Sequence, residues 1–149
     1  MKTITLSLLV LVLLAIPAMA EPIEPASVRV IDGDTIAIDG HGRKPNIRLV
    51  GFNTPEIRKA KCEDEGRLGV NATNRLRELV KDGNLDLTIV RCACKPGTEG
   101  TRYCNFGRSC GVLKSNGQDV GDILIAEGLA VPFICGKTRC PKTPRPWCE

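Results

Sequence analysis

Three short runs of apolar or alternating residues open the patterned part of the chain. Residues 27–31 and 35–38 flank Asp32-Gly33, a dipeptide that is typical of tight β-hairpin turns, and residues 47–50 form a third run. Together they predict a meander of three strands. Residues 21–25, which come before, contain two prolines and are predicted to lack regular structure.

The spacing of apolar residues then changes from every second residue, which is typical of strands, to a period of about 3.6 residues, which is typical of helices. Between Gly66 and Val80, apolar residues recur at spacings of three and four, and Gly83 follows as a stop signal, which predicts a helix. The apolar stripe consists of Leu68, Ala72, Leu76, Leu79 and Val80. Residues 85–90 return to alternation and predict a fourth strand.

A fifth strand and a second helix complete the pattern. Residues 108–114 are predicted to form the strand, which ends at an Asn116-Gly117 turn, and Asp119 is a candidate N-cap for a helix that runs toward Gly128. Three strands, a helix, two strands and a helix predict a mainly β fold with helices (α+β), a five-stranded barrel of the OB type. Residues 136–149 contain three prolines and are predicted to form an irregular, disulfide-stapled cap.

The N-terminal segment has the pattern of a secretory signal peptide. Lys2 precedes an apolar run over residues 6–16, and Ala18-Met19-Ala20 is a small-x-small cleavage signal. The alternative, a membrane-spanning helix, needs about 20 predominantly apolar residues, more than this run provides. Residues 1–20 are therefore predicted to be removed near Ala20. Residues 21–149 are then expected to form one secreted or periplasmic domain, monomeric and without a membrane partner.

All eight cysteines lie in residues 21–149, and an even number after a signal peptide predicts disulfides. We expect four of them to pair among themselves, namely Cys92, Cys94, Cys104 and Cys110. Cys62 is expected to pair within a second group that contains Cys135, Cys140 and Cys148. A structural zinc site is the alternative, but the spacings lack the paired C-x2-C form and His41 is the only histidine.

The charge distribution permits a polyanionic partner. The formal net charge is +4, and it falls to +3 when Lys2 is removed with the signal peptide. Basic residues cluster around the first strands, at Arg43, Lys44, Arg48, Arg58, Lys59 and Lys61. A phosphate backbone could dock at such a cluster, and an ordinary solvated surface is the alternative.

Four ordered motifs between about residues 28 and 133 resemble the staphylococcal nuclease (thermonuclease) family. They are Ile31-Asp32-Gly33-Asp34-Thr35, Ile47-Arg48-Leu49 with Thr54-Pro55-Glu56, Phe106-Gly107-Arg108, and Ala126-Glu127-Gly128-Leu129-Ala130. Each motif alone is weak, since Asp-Gly forms hairpins in many proteins and an arginine on a strand usually faces water. Their common order makes the resemblance specific.

The resemblance implies a calcium-dependent phosphodiesterase that acts on DNA, RNA or both. Asp34 matches the family's metal-binding aspartate, and its ordinary alternative is a turn residue. The side-chain oxygen of Asn53 and the backbone of Thr54 could supply further ligands, because Ca2+ binds carboxylate and carbonyl oxygens.

The resemblance also implies which residues act on the phosphate. Arg48 and Arg108 match two arginines that clamp phosphate oxygens, for which the planar guanidinium is suited. Glu56 matches the glutamate that acts as general base on the attacking water, or orients it, before the 5' oxygen leaves. As ordinary alternatives, the two arginines could be solvated residues at the ends of strands, and Glu56 could be an acidic residue near the start of a helix.

The sequence departs from the family pattern in three places. The family usually has an aspartate where this chain has Asn53, and one negative charge fewer is expected to weaken calcium binding by about tenfold. Phe106 replaces a tyrosine and can stack on a base but cannot donate a hydroxyl hydrogen bond. The family's C-terminal helix is replaced by the tail that begins at Gly136.

Two alternatives do not involve catalysis. The same fold could hold single-stranded nucleic acid or a protein, with Asn53 marking a lost metal site. Against strand binding, the whole chain has only five aromatic residues with which to stack bases. The protein could also be purely structural. Neither alternative accounts for a glutamate placed between two phosphate-binding arginines, so hydrolysis is the favoured prediction.

Overall fold

The computed structural model describes residues 20–41 and 46–148. Two α-helices lie in these residues, α1 (Glu63–Asp82) and α2 (Val120–Ala126). The strands of the described residues are β1 (Glu21–Ile23), β2 (Val28–Asp32), β3 (Thr35–Ile38), β4 (Asn46–Leu49), β5 (Gly51–Asn53), β6 (Leu85–Val90), β7 (Ser109–Ser115), β8 (Gln118–Asp119) and β9 (Val131–Phe133).

The main sheet has the strand order β1-β6-β7-β4-β3-β2, and β8 pairs with β7. The predicted hairpin and meander are confirmed, because β2 pairs with β3 and β3 with β4, both antiparallel. The pairing of β4 with β7 is parallel and places Arg48 opposite Cys110, two residues beyond Arg108. This pairing, which local sequence patterns did not predict, brings the two candidate phosphate-binding arginines to one end of the sheet.

The predicted α+β class is confirmed: the protein is mainly β with two helices, and the curled sheet is consistent with an OB-type fold. The strand count is corrected, because short strands add to the five predicted ones, and β5 and β9 form a separate pair. The core lies between the curved sheet and the helices, where Ile36, Ile47, Leu76 and Leu124 are fully buried.

The expectation of no regular structure in residues 21–25 is wrong. β1 pairs with β6, and residues 25–27 form a turn of 3-10 helix. β1 is the edge strand of the sheet, where a proline is tolerated because it need not donate to a second neighbouring strand. The predicted signal peptide, except Ala20, lies outside the described residues, as do the basic residues Arg43 and Lys44.

The two predicted groups of cysteines are confirmed by four disulfides. Cys92 pairs with Cys110 and Cys94 with Cys104 in the first group, while Cys62 pairs with Cys148 and Cys135 with Cys140 in the second. No cysteine thiol is free to bind zinc. Among the described residues, no helix has both the length and the hydrophobicity needed to span a membrane.

Candidate active site

Asp34 lies in the turn between β2 and β3 and faces the segment that follows β5. Its Oδ2 accepts hydrogen bonds from the backbone N–H and the hydroxyl of Thr54, at 3.1 and 3.0 Å. The approach is so close that a Cβ atom on Gly33 would lie 2.8 Å from the Thr54 hydroxyl oxygen. The Asp32-Gly33-Asp34 motif therefore serves more than the hairpin, since it lets the β2–β3 turn pack against Thr54.

The negatively charged form of Asp34 is unfavourable in this buried position. Burial raises the pKa of Asp34 to about 6, and repulsion from Asp32 adds to the increase. Arg48 and the hydrogen bonds from Thr54 oppose it, because they favour the charged form. A second cation beside this carboxylate would stabilise its ionised form further.

Arg48 on β4 is the centre of the site in this structure. Its Nη2 forms an ion pair with Asp34 Oδ2 at 3.0 Å and donates to Asn53 Oδ1 at 3.1 Å. It also donates to the backbone carbonyl oxygens of Phe52, Leu49 and Asp34. Because the side chain is only 13% exposed and both of its Nη groups donate to protein oxygens, these contacts fix where its positive charge lies.

Asn53, the residue that departs from the family pattern, is buried at the end of β5. Its Oδ1 faces Arg48, and its Nδ2 donates to the carbonyl oxygens of Thr54, at 3.3 Å, and Pro144, at 3.1 Å. The amide therefore presents its oxygen to the centre of the site and its nitrogen to the C-terminal tail. An aspartate in the same place would have no N–H to donate to Pro144.

Arg108 reaches the same centre from the loop before β7. Its Nη1 donates to the Thr35 hydroxyl at 3.3 Å, and that hydroxyl donates to Asp34 Oδ1 at 3.3 Å. Burial lowers the pKa of Arg108, and the charge of Arg48 lowers it further, while nearby carboxylates, including Glu56, raise it. The two arginines are therefore close enough to repel each other, which an anion placed between them would relieve.

The loop before Arg108 is shaped to hold its guanidinium. Asn105, Phe106 and Gly107 all have positive φ, and Asn105 accepts from Arg108 through both its backbone and side-chain oxygens, at 3.2 and 2.7 Å. Non-glycine residues rarely adopt this conformation, so two in succession need support from their surroundings. The disulfides Cys92–Cys110 and Cys94–Cys104 flank the loop and provide it. The Phe106 ring is 82% exposed beside Arg108.

Glu56 lies on the rim of the site, in the segment between β5 and α1. Its side chain is exposed, and it is close enough to Arg108 to affect the pKa of that arginine. The segment packs against α1 at Gly69, where a Cβ atom would lie 2.8 Å from the backbone oxygen of Pro55. Arg58, Lys59 and Lys61, which follow Glu56, are exposed and add positive charge on the same segment.

The oxygen atoms of the site fit calcium in chemical type. Asp34 Oδ2 and Asn53 Oδ1 both contact Arg48 Nη2, at 3.0 and 3.1 Å, so the guanidinium lies between them in this structure and would have to move outward for calcium to bind there. The backbone oxygen of Thr54 accepts from Asn53 Nδ2 and so lies on the nitrogen side of that amide, away from Oδ1. These are hard oxygen donors with a single negative charge among them. Within residues 20–41 and 46–148, no group of three or more His, Cys, Asp or Glu side chains is arranged to hold a metal.

The structure thus joins four of the six residues identified from the sequence by direct contacts, which run from Thr54 to Asp34, Arg48 and Asn53. A fifth, Arg108, is linked to Asp34 through Thr35. Glu56 acts on Arg108 through its charge, and it follows Thr54 by two residues in the chain. Sequence reasoning missed Thr35 and Asn105, and it missed Glu65 and Arg145, which hold the Glu56 segment. No capping-box pattern marked Glu65, because the N-cap of α1 is Cys62 and not serine or threonine.

Curated nucleases are similar in sequence to this chain. The endonuclease YncB of Bacillus subtilis (strain 168) is 34% identical over 103 residues, which are 68% of this chain and 44% of that protein. The SPbeta prophage-derived endonuclease YokF of the same organism is 32% identical over 103 residues, 68% of this chain and 31% of that protein. The thermonuclease of Staphylococcus hyicus is 53% identical over 32 residues, 22% of this chain and 19% of that protein.

No family model matches the chain. It spans less than half the length of the two Bacillus relatives. The ordered motifs, the OB-type fold that assembles them and the similarity to these relatives nevertheless agree, and the chain belongs to the staphylococcal nuclease-like family.

Proposed function

We propose that the protein is a calcium-dependent nuclease that hydrolyses phosphodiester bonds in DNA, RNA or both. The observation that carries this proposal is the continuous set of contacts Arg108–Thr35–Asp34–Arg48–Asn53, with Glu56 on its rim. These contacts place two guanidinium groups beside Asp34, a carboxylate whose charged form is disfavoured by burial. The names of the relatives, two endonucleases and a thermonuclease, support the same class of reaction.

Arg48 and Arg108 are proposed to bind the non-bridging oxygens of the scissile phosphate. Guanidinium groups suit this role because they donate parallel hydrogen bonds and keep their charge. Asn105 holds Arg108 through Nε and Nη2, so little reorganisation of this arginine is needed as negative charge develops in the transition state. Arg48 donates to protein oxygens through both Nη groups and would exchange some of these hydrogen bonds for bonds to the phosphate. The mutual repulsion of the two arginines falls when the anion is bound.

Glu56 is proposed to accept a proton from the attacking water. The water oxygen then forms a bond to phosphorus, the bond from phosphorus to the 5' oxygen breaks, and the leaving oxygen takes a proton from solvent. An exposed carboxylate on the rim of the site can reach a water beside the phosphate. Asp34, Asn53 and the backbone oxygen of Thr54 would hold calcium, which supplies charge that polarises the phosphate.

Export is part of the proposal. Four disulfides form stably only in an oxidising compartment, and the N-terminal 20 residues have the pattern of a signal peptide. The mature protein is therefore proposed to act in the periplasm or outside the cell as a monomer, where DNA and RNA are foreign or released molecules.

Hydrolysis of single-stranded DNA and of RNA by the disulfide-bonded protein across a calcium titration tests the proposal. We expect cleavage that rises with calcium and stops when a chelator removes it. The products should carry a 5'-hydroxyl group, because the bond to the 5' oxygen breaks. A folded protein that binds single-stranded DNA but does not cut it at any calcium concentration would instead support a binding module.

Restoring the missing charge should strengthen calcium binding. Asn53→Asp places a second carboxylate beside Arg48, opposite Asp34, and we expect the calcium dissociation constant to fall by about tenfold. Isothermal titration calorimetry measures it directly. Asn71→Asp adds the same charge on the exposed surface of α1 and is the control. If both variants bound calcium equally well, Asn53 would not be a ligand.

A further inference from the structure

The C-terminal tail reaches the candidate active site, although none of the proposed chemistry uses it. Residues 136–148 form neither helix nor strand. The Cys62–Cys148 disulfide fastens the end of the tail to the N-cap residue of α1. Two residues of the tail, Pro144 and Arg145, contact groups that belong to the site or to the segment carrying Glu56.

Glu65, in the first turn of α1, is fully buried and holds the end of that segment. Its Oε2 accepts from the backbone N–H of Lys61 at 2.7 Å, and its Oε1 lies 3.5 Å from the backbone nitrogen of Glu56. A buried carboxylate needs a positive partner, because an unpaired charge in the protein interior is very unfavourable.

Arg145 is that partner. Its Nε and Nη2 donate to the two carboxylate oxygens of Glu65, at 2.8 and 2.6 Å, in a bidentate pair. The hydrogen bond from Arg145 is the main reason why the pKa of Glu65 falls to about 2. The same Nη2 donates to the backbone oxygen of Lys59 at 2.7 Å. One guanidinium thus joins the tail, the helix and the middle of the segment.

At its start the segment is held by the hydrogen bonds from Thr54 to Asp34 and by the packing of Pro55 on Gly69. Residues 54–62 contain no regular secondary structure, and Glu56 itself is exposed. The tail contacts this part of the chain at its start, where Pro144 accepts from Asn53, in its middle at Lys59, and at its end through Glu65 and Lys61. A general base must be held near its water, and a displacement of about 1 Å can lower the rate about a hundredfold.

We propose that Arg145 is a positioning residue for catalysis: acting through Glu65 and the Lys59 carbonyl, it holds the segment that carries Glu56 against the site. The proposal rests on the proposed nuclease function. It makes the tail a part of the catalytic structure rather than only the stapled cap that the sequence suggests. Arg145 itself touches neither the phosphate nor the proposed calcium ligands Asp34 and Asn53.

Arg145→Gln tests the proposal in the full disulfide-bonded protein. We expect kcat for single-stranded DNA to fall at least tenfold with KM within about threefold, because phosphate binding by Arg48 and Arg108 is unaffected. Hydrogen exchange of the Lys61 amide, measured by NMR, should become faster, since its acceptor Glu65 loses its anchor. Arg139→Gln, which removes an exposed arginine of the same tail, is the matched control and should change neither quantity.

Arg145→Lys keeps the test decisive if the glutamine variant does not fold. It keeps a positive charge beside Glu65, but one ammonium cannot reproduce the bidentate pair together with the bond to Lys59. We expect a folded protein with kcat again lowered and KM little changed. Wild-type kcat in a folded Arg145 variant would overturn the positioning role while leaving the nuclease proposal intact, as would a loss that appears only in KM. Absence of cleavage by the unaltered protein would overturn the nuclease proposal itself.

Discussion

Replacement of Glu56 by glutamine is expected to lower kcat for DNA or RNA hydrolysis by about 10²- to 10⁴-fold, the contribution that a positioned general base makes. Glutamine keeps the size and the exposed position of the side chain but cannot accept the proton of the attacking water. Because Glu56 is exposed, the folded structure should not change. Steady-state hydrolysis at saturating calcium, with thermal unfolding of the same samples, measures both effects.

Glu63→Gln is the control for this variant. Glu63 is an exposed acid in the first turn of α1, a few residues beyond Glu56, and its loss changes the net charge by the same amount. We expect wild-type kcat for it, apart from the small effect of a changed surface charge on substrate binding. Equal kcat in the Glu56 variant and the unaltered protein would exclude Glu56 as the base. The proton would then have to pass to another group or to solvent.

Local patterns were sufficient to predict most of the elements that carry the site. The Asp32-Gly33 hairpin and the helix stripe that ends before Gly83 both depend on neighbours a few residues apart, and both are confirmed. The predicted helix start at Gly66 is three residues late, because the true first turn is acidic and adds nothing to the apolar stripe. Polar first turns suit helix N-termini, where carboxylates interact favourably with the helix dipole.

Long-range contacts account for what the sequence did not predict. The parallel pairing of β4 with β7 depends on how the whole sheet closes, yet it is what brings Arg108 to Arg48. The ion pair between Glu65 and Arg145 joins residues 80 positions apart, and no local period or motif records it. The resemblance supplied the identities of the site residues, because a family motif already contains the result of such long-range packing.

The C-terminal tail has one property that local sequence patterns predict and another that depends on long-range contacts. Its prolines and cysteines predict an irregular, stapled segment, which is what the described residues form. Its contact with Asn53 and with the Glu56 segment is visible only in three dimensions. Asn53 stands where the family usually has an aspartate, and its amide nitrogen donates to Pro144 of the tail. The change from aspartate to asparagine is therefore linked to the position of the tail. An amide can face the site with its oxygen and bind the tail with its nitrogen.

Complete reduction of the four disulfides is expected to unfold the domain. Their sequence separations are 86, 18, 10 and 5 residues. By the chain-entropy relation these loops together stabilise the folded state by roughly 12 kcal/mol, comparable to the whole free energy of unfolding of a typical domain, about 5–15 kcal/mol. The concentration of a thiol reductant is raised in steps. Circular dichroism then measures the loss of structure, and hydrolysis of DNA or RNA measures the loss of activity.

Removal of single bridges should separate the loss of activity from the loss of structure. Cys92→Ser with Cys110→Ser opens the bridge beside Arg108, and we expect about 3 kcal/mol of destabilisation together with at least a tenfold loss of kcat. The reason is that Asn105 and Phe106 are held in an unfavourable backbone conformation that positions Arg108. Cys135→Ser with Cys140→Ser opens the shortest bridge, which should cost about 2 kcal/mol and leave kcat unchanged. If activity in reductant equalled that of the oxidised protein, the disulfides would not hold Arg108 in place, and the strained loop would have to be stable by itself.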